Sequence, residues 1–368
     1  HAQCGDEPSE SHPFEAEDGT EAVDGNSGDE VATSTYTYDA LGRLTDLDYE
    51  NGGTDLFTPY EWSYDNVNRI TQFVSDDGTT DYEYDKTSQL TDADHDYQTD
   101  EAYTYDANGN RTMTGYTTGD NNQLTNDGTY SYTYDDEGNR LTRTDDTTDD
   151  VTEYEWDFRN RLIKVTEKDG MGTTTQVVEY TYDVFNRRIA KAVDTTSPFS
   201  MTDAAIESYI YDDANGVTSV DGGNVVLDFI DPDGSGSSPS ALDSRQLFGN
   251  AVDQILAQED VDETITSTDR VLWHLADNLG TVRNLAKNDS TLGEHYKYDS
   301  YGQIVSGDTS ITRYLYTSRE FDEETGLQYN RARWYDVGMG RWISEDPLGF
   351  AAGDTNVVRY VGNRTSNR

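Results

Sequence analysis

One short motif returns along this chain, and its repetition limits the fold more than any other feature. The unit is an aromatic residue, any residue, a second aromatic and Asp, then a short turn, Arg, an aliphatic residue and often Thr. The clear copies are YTYDALGRLT from Tyr36, WSYDNVNRIT from Trp62, YEYDKTSQLT from Tyr82, YTYDANGNRT from Tyr103 and YTYDDEGNRLT from Tyr132. Weaker copies begin at Tyr154, Tyr180, Tyr209 and Tyr296. Such spacing is that of a repeat architecture, in which each unit buries its apolar face on its neighbours.

The physics of one unit is readable. Tyr36 and Tyr38 stand two apart, so on a strand they share a face. Asp39 can accept hydrogen bonds from the backbone of the turn it begins, and Gly42 tolerates positive φ. Arg43 then opens a returning strand. Each unit therefore reads as a β-hairpin with an aromatic inner stripe. The same roles fall to Tyr64, Asp65 and Arg69, to Tyr105 and Asp106, to Tyr134, Asp135 and Arg140, and to Tyr182, Asp183 and Arg187. The Asp–Arg spacing predicts a turn-closing ion pair in Asp39–Arg43, Asp65–Arg69, Asp135–Arg140 and Asp183–Arg187. One hairpin is marginal in water, so the units are expected to stack edge to edge into one antiparallel sheet. The predicted fold class is all-β, a spiral or solenoid-like sheet.

Composition agrees with a thin sheet packed by tyrosine. There are 27 Tyr against 10 Phe, and only 33% of residues are hydrophobic. The formal net charge is −47. That charge repels nucleic-acid phosphates and anionic lipid, which argues against either as a partner. It also calls for screening by salt or divalent cations. No stretch approaches the ~18 apolar residues of a membrane span. The single cysteine, Cys4, excludes an intrachain disulfide. The chain begins at His1 without a leader pattern, which reads as a processed product or a fragment.

Enzyme constellations are sparse. The five histidines show no metal-ligand spacing and are expected on the surface. No nucleophile elbow, phosphate loop or dinucleotide fingerprint occurs. No cofactor is required by any motif. Calcium is the one candidate ion, because Asp231, Asp233 and Ser235 mimic the start of a calcium loop, although Leu242 stands where such a loop ends in Glu.

The stretch YLYTSREFDEETGLQYNRARWYDVGMGRWISEDPLGF, from Tyr314 to Phe350, resembles the core of the YD-repeat (RHS) family, and WHLADNLGTVRNL from Trp273 resembles a block upstream of it. With the YD units, the resemblance covers roughly residues 35–362. It implies hairpins wound into a spiral shell that encloses a C-terminal toxin, with the core plugging one end. In many members the core is an aspartyl autoprotease. By motif, Arg333 and Asp346 match positions linked to that cleavage. Such a protease needs two carboxylates, and the family's second Asp sits in a downstream DPxG motif that this sequence does not contain. Arg333 and Asp346 are therefore also read as a buried structural pair.

These readings divide the chain into an acidic arm (1–34), a YD array (35–190), irregular repeats with a Gly/Ser/Asp loop (191–272), an RHS core (273–350) and a tail (351–368). They predict a non-catalytic structural protein, secreted or at the cell surface, with exposed sheet edges that polymerise into a fibre. The alternative is part of the shell of an RHS-type toxin-delivery protein. The partner is then either the chain itself, as a homopolymer, or a larger shell.

Overall fold

The computed structural model describes residues 20–24, 30–196, 199, 204–212, 223–234, 239–250, 253–261, 265–266 and 268–365. Cys4, His1, His12 and Ser235 lie outside them. Among the described residues there is no α-helix, only strands, turns and single 3₁₀ turns. The all-β prediction holds.

Within each sheet the strands pair antiparallel in sequence order, except that the two-residue Thr54–Asp55 only folds back on Leu44–Asn51, which pairs on with Tyr60–Tyr64. A nine-stranded sheet runs from Thr20–Asp24 to Glu101–Ala102, and a 15-stranded sheet from Tyr116–Thr118 to Leu292–His295. Two stretches behave differently from their reading. The C-terminal part of the acidic arm is already sheet, since Thr20–Asp24 pairs with Glu30–Tyr38. The stretch taken as irregular keeps the ladder, with Arg188–Asp194, Ala205–Tyr211, Val225–Asp231, Ala241–Phe248, Ile255–Asp260 and Val271–Ala276 pairing in order. Only the motif is lost there; the edge-to-edge pairing that the backbone demands persists.

The hairpins share one geometry. A bulge precedes each turn, between Thr37 and Tyr38, Ser63 and Tyr64, Glu83 and Tyr84, Thr133 and Tyr134, and Thr181 and Tyr182. The fourth turn residue has positive φ: Gly42 (75°), Asn68 (67°), Gly138 (80°) and Asn186 (68°), with Ser88 (66°) as the exception in residue type. Gly and Asn are the residues that enter this region at least cost, which explains their alternation at that position.

The sheet winds back on itself around a plug. Val31, Leu47, Tyr60, Trp62 and Phe73 share one core with Trp273, Leu275 and Ala286. Tyr49 Oη donates to the Ala276 carbonyl at 3.0 Å, across 227 positions of sequence. Inside lies residues 296–365, with a four-stranded sheet from Glu320–Asp322 to Arg341–Trp342. Its Leu327, Tyr329, Trp334 and Ile343 pack on Tyr154, Leu162, Val178 and Tyr180 of the wall. Residues 351–365, read as a tail, pack into the same plug: Asn356, Val358 and Asn363 are buried, and Asn363 Nδ2 donates to the Gly109 carbonyl at 2.9 Å.

Candidate functional site

The repeat residues build a clamp within each turn and a second between turns. Asp39 Oδ1 accepts the backbone N–H of Leu41 (2.8 Å) and Arg43 (3.0 Å), while Oδ2 takes Arg43 Nε (2.7 Å). Asp65 with Arg69 and Asp183 with Arg187 repeat it. The Asp39 carboxyl is held below the usual range, first by the Arg43 backbone N–H and next by its guanidinium. Asp106 and Asp135 use amides in place of Arg: Asn110 Nδ2 (3.0 Å) and Asn139 Nδ2 (2.9 Å).

Asp135 and Arg140 do not pair. The partner of Asp135 is Asn139, four residues on; Arg140 is five residues on, and its side chain points to the opposite face. It enters the interior and pairs with Asp336 at 2.7 Å.

The aromatic stripe splits into two roles. The first aromatic is core: Trp62, Tyr103, Tyr132, Tyr154, Tyr180 and Tyr209 are buried. The second is half-buried and reaches sideways to the preceding hairpin. Tyr64 Oη donates to the Leu44 carbonyl (2.6 Å), Tyr105 to Leu90 (2.8 Å), Tyr134 to Leu124 (2.8 Å) and Tyr182 to Leu162 (2.8 Å). Each turn arginine then lies over the next unit's tyrosine, Arg43 on Tyr64 at 4.7 Å and Arg161 on Tyr182 at 4.8 Å. Tyr36 is half-buried, and Tyr38, second aromatic of the first unit, is 46% exposed.

Three inward arginines hold the plug. Counting from the unit Asp, the fifth residue is Leu44, Ile70, Leu90 or Leu162 in most hairpins but Arg111, Arg140 and Arg188 in three. All three are buried. Arg111 Nη1 donates to the Met339 carbonyl (3.0 Å), and its guanidinium lies 4.1 Å from the Tyr301 ring. A Cβ on Gly340 would fall 2.4 Å from Arg111 Nη2, so the plug backbone closes on this side chain only through glycine. Arg140 pairs with Asp336 between the rings of Tyr132 and Tyr154. Arg188 pairs with Glu320 (2.6 Å) and Asp322 (3.4 Å) among Tyr209, Tyr329 and Trp334. Burial pushes the Glu320 and Asp336 carboxyls up, but the adjacent arginines outweigh it and both end below the usual range. The doublets Asn110–Arg111, Asn139–Arg140 and Arg187–Arg188 were the available signal for this triad.

Arg333 Nη2 meets Asp346 Oδ2 at 2.8 Å, and the Arg333 guanidinium lies 4.0 Å from the Trp342 ring. Asp346 Oδ1 caps the Leu348 N–H (2.9 Å). Both side chains are more than four-fifths buried. Asp231 closes its own turn by accepting the Asp233 N–H at 3.3 Å. The group of three carboxylates at metal-ligand spacing among the described residues lies elsewhere, at Asp48, Glu50 and Asp55.

Of the described histidines, the His95 and His274 side chains are buried, and that of His295 is one-third exposed. His95 bridges Thr80 Oγ1 (2.8 Å) and Glu101 (2.9 Å). His295 pairs with Asp77 (2.8 Å). His274 is buried, and desolvation lowers it to about 3.

The family profile described as teneurin YD-shell matches residues 19–244. The tRNA3(Ser)-specific nuclease WapA of Bacillus spizizenii is 29% identical over 410 aligned residues, spanning 91% of this chain and 16% of that protein. Double-stranded DNA deaminase toxin A of Burkholderia cenocepacia is 25% identical over 90% of this chain and 24% of its own length. The chain thus spans between a sixth and a quarter of these relatives. The crystal structure of TcdB2-TccC3-TEV superposes with a TM-score of 0.69 at 16% identity, over 95% of this chain and 19% of that one. The Photorhabdus luminescens Tc holotoxin pore gives 0.67 at 16% identity, over 94% and 18%. These likenesses establish the fold. No described helix is long and apolar enough to cross a membrane.

Proposed function

Because this chain belongs to the teneurin YD-shell family, we propose that it is a non-catalytic stretch of shell wall with its plug, taken from a larger toxin-delivery protein of the RHS kind. The observation that carries this reading is the triad Arg111, Arg140 and Arg188. Three hairpins give up an aliphatic core position to grip a domain folded inside the sheet. A wall that only had to polymerise would gain nothing from buried guanidinium groups, since an ion pair in the interior roughly breaks even against apolar packing. The relatives bearing toxin and nuclease names, each several times longer, favour the same reading. It displaces the edge-to-edge fibre expected from the exposed strands.

The proposal makes the partner a larger shell, in a secreted or cell-surface setting, and assigns the plug a structural task. Arg333 and Asp346 then pin the segment after Trp342 to the plug. Calcium, if bound, acts by screening charge, and no cofactor takes part. Electron microscopy of the complete reading frame tests this: a hollow β-shell around enclosed density is expected. Filaments built from 368-residue units would overturn it. Asp346→Asn is expected to leave the product length unchanged on a denaturing gel; a longer product would instead assign Asp346 to self-cleavage.

A further inference from the structure

Along the chain, the backbone ladder of the wall is interrupted at one place among the described residues. The nine-stranded sheet ends at Glu101–Ala102 and the 15-stranded sheet begins at Tyr116–Thr118, with no pairing between them. The fourth unit lies in this gap. It keeps its turn, but its two arms are joined by the single bridge Tyr105–Arg111. The buried aromatic layer breaks at the same point. Leu90, Tyr103 and Tyr301 form one cluster, with Met113 against it. Leu124, Tyr132 and Met339 form another, with Tyr116 against it, and the two share no residue.

A missing aromatic accompanies the gap. Elsewhere the second aromatic donates to a carbonyl of the hairpin before it, as Tyr84 does at Ile70, Trp156 at Arg140 and Tyr211 at Arg188. The hairpin after the gap has the same bulge before its turn, between Thr117 and Thr118. It has the same turn closure, from the Gly119 N–H to the Gln123 carbonyl at 2.8 Å. That geometry aligns Thr118 with the second aromatic. A threonine has no ring with which to reach back to the strand of Arg111.

Side chains span the gap instead. Asn110 Nδ2 donates across it to Asn122 Oδ1 at 2.9 Å. From the plug, Arg341 Nη2 donates to both lips, to Asn110 Oδ1 (3.1 Å) and to the Asn122 carbonyl (2.8 Å). Arg341 is 5% exposed. It makes no ion pair among the described residues, and its Nη1 is buried without an acceptor. Burial first, with Arg111 and Arg140 adding repulsion, lowers its guanidinium to about 10. Arg140 and Arg188 differ in meeting carboxylates. A buried guanidinium held by neutral acceptors is a weak clasp, because parting the lips returns the charge to water.

We propose that the wall parts at this seam, between residues 111–113 and 116–118, and that Arg341 is the strap by which the plug keeps it shut. The lips stay joined by the turn at 113–116, closed by the Tyr116 N–H on the Met113 carbonyl at 3.0 Å. The slit therefore opens from the Asn110–Asn122 end. Withdrawal of the plug and opening of the wall become one event. The inference concerns how this wall is held together and does not depend on what a shell of this kind delivers.

Thiol labelling of the whole chain tests it. Leu124, beside the second lip, and Leu162, within the uninterrupted ladder, occupy the same place after their turns and are 1% and 0% exposed. Leu124→Cys and Leu162→Cys are each combined with Cys4→Ser, which removes the native thiol, and reacted with dithionitrobenzoate in native buffer. Global unfolding exposes both thiols alike, whereas local opening exposes one. The Leu124→Cys thiol is expected to react at least about tenfold faster. Adding Arg341→Met should raise that rate by roughly tenfold again and leave Leu162→Cys within about twofold. Arg341→Lys, which keeps the charge and loses the fork, takes its place if Arg341→Met does not fold. Equal rates for the two thiols overturn the seam. Equal acceleration of both by the Arg341 variant, or of neither, overturns the strap.

Discussion

Replacing Arg140 tests whether the wall holds the plug by charge. Arg140 is 0% exposed. Its Nη1 lies 2.7 Å from Asp336 Oδ2, and the Asp336 side chain is 8% exposed. Leu is the natural substitute, because Leu44, Leu90 and Leu162 occupy the equivalent place in other hairpins. Arg140→Leu leaves Asp336 buried without its counter-charge, which costs about 3–5 kcal/mol. Asp336→Asn strands the arginine instead and should cost a similar amount. The double variant buries no unpaired charge, so it should be far less destabilised than the sum, giving a coupling of at least ~2 kcal/mol. Urea unfolding followed by tryptophan fluorescence measures all four proteins, with Trp334 beside the wall as an internal reporter. The acid dependence carries a sign. Burial raises the Asp336 carboxyl, but Arg140 and then Arg143 outweigh it, so its folded value lies below 3.8. The pair's contribution is therefore complete above the unfolded value of about 4 and fades as pH falls through the lower folded one. The Arg140→Leu penalty should shrink in acid accordingly. If the two single effects add within ~0.5 kcal/mol, the pair is uncoupled, and Arg140 serves only as a filler between Tyr132 and Tyr154.

Tyr64→Phe should lower stability by ~0.5–1.5 kcal/mol, the value of a lost hydrogen bond, whereas Tyr38→Phe, at a ring 46% exposed, should change it by less than ~0.5 kcal/mol; equal effects in thermal melts would contradict the inter-hairpin role. Asp299 has its carboxyl raised, first by desolvation and then by the Glu101 charge. Its ionisation therefore opposes folding progressively above the unfolded value of about 4. Asp299→Asn, which keeps an Oδ1 acceptor for the Tyr301 and Gln303 N–H groups, should raise the melting temperature at pH 8 and leave it nearly unchanged at pH 4; no gain at pH 8 sinks the idea. Raising NaCl from about 0.1 to 1 M shortens the screening length from ~10 to ~3 Å. It should raise the melting temperature of a chain carrying −47, and a flat response would mean that the acids are already neutralised in place.

The hairpin was legible because its causes are local. Asp39, Gly42 and Arg43 lie within five positions, and the side chain and backbone N–H groups that close the turn belong to one unit. Tyr64 marks where that reading stops. Period two placed both tyrosines on one face, yet the second aromatic ends beside the hairpin before it, donating to a carbonyl that the unit does not contain. The units are thus less self-contained than their repetition suggests, and each is completed by its predecessor. Arg140 shows the same limit at longer range. Aligning the units on Asp puts it on the inward side, but nothing within the repeat says what it meets, since Asp336 stands 196 positions away. The substitution of Arg for Leu at an inward position was itself a signal, because a lone guanidinium in an apolar layer is prohibitive without a partner. It says that an acid or a carbonyl must arrive from elsewhere in the fold. At Arg111, Arg140 and Arg188 what arrives is Met339, Asp336 and the Glu320–Asp322 pair, all from the plug. The repeat therefore encodes the wall, and its three exceptions encode that the wall has something inside it.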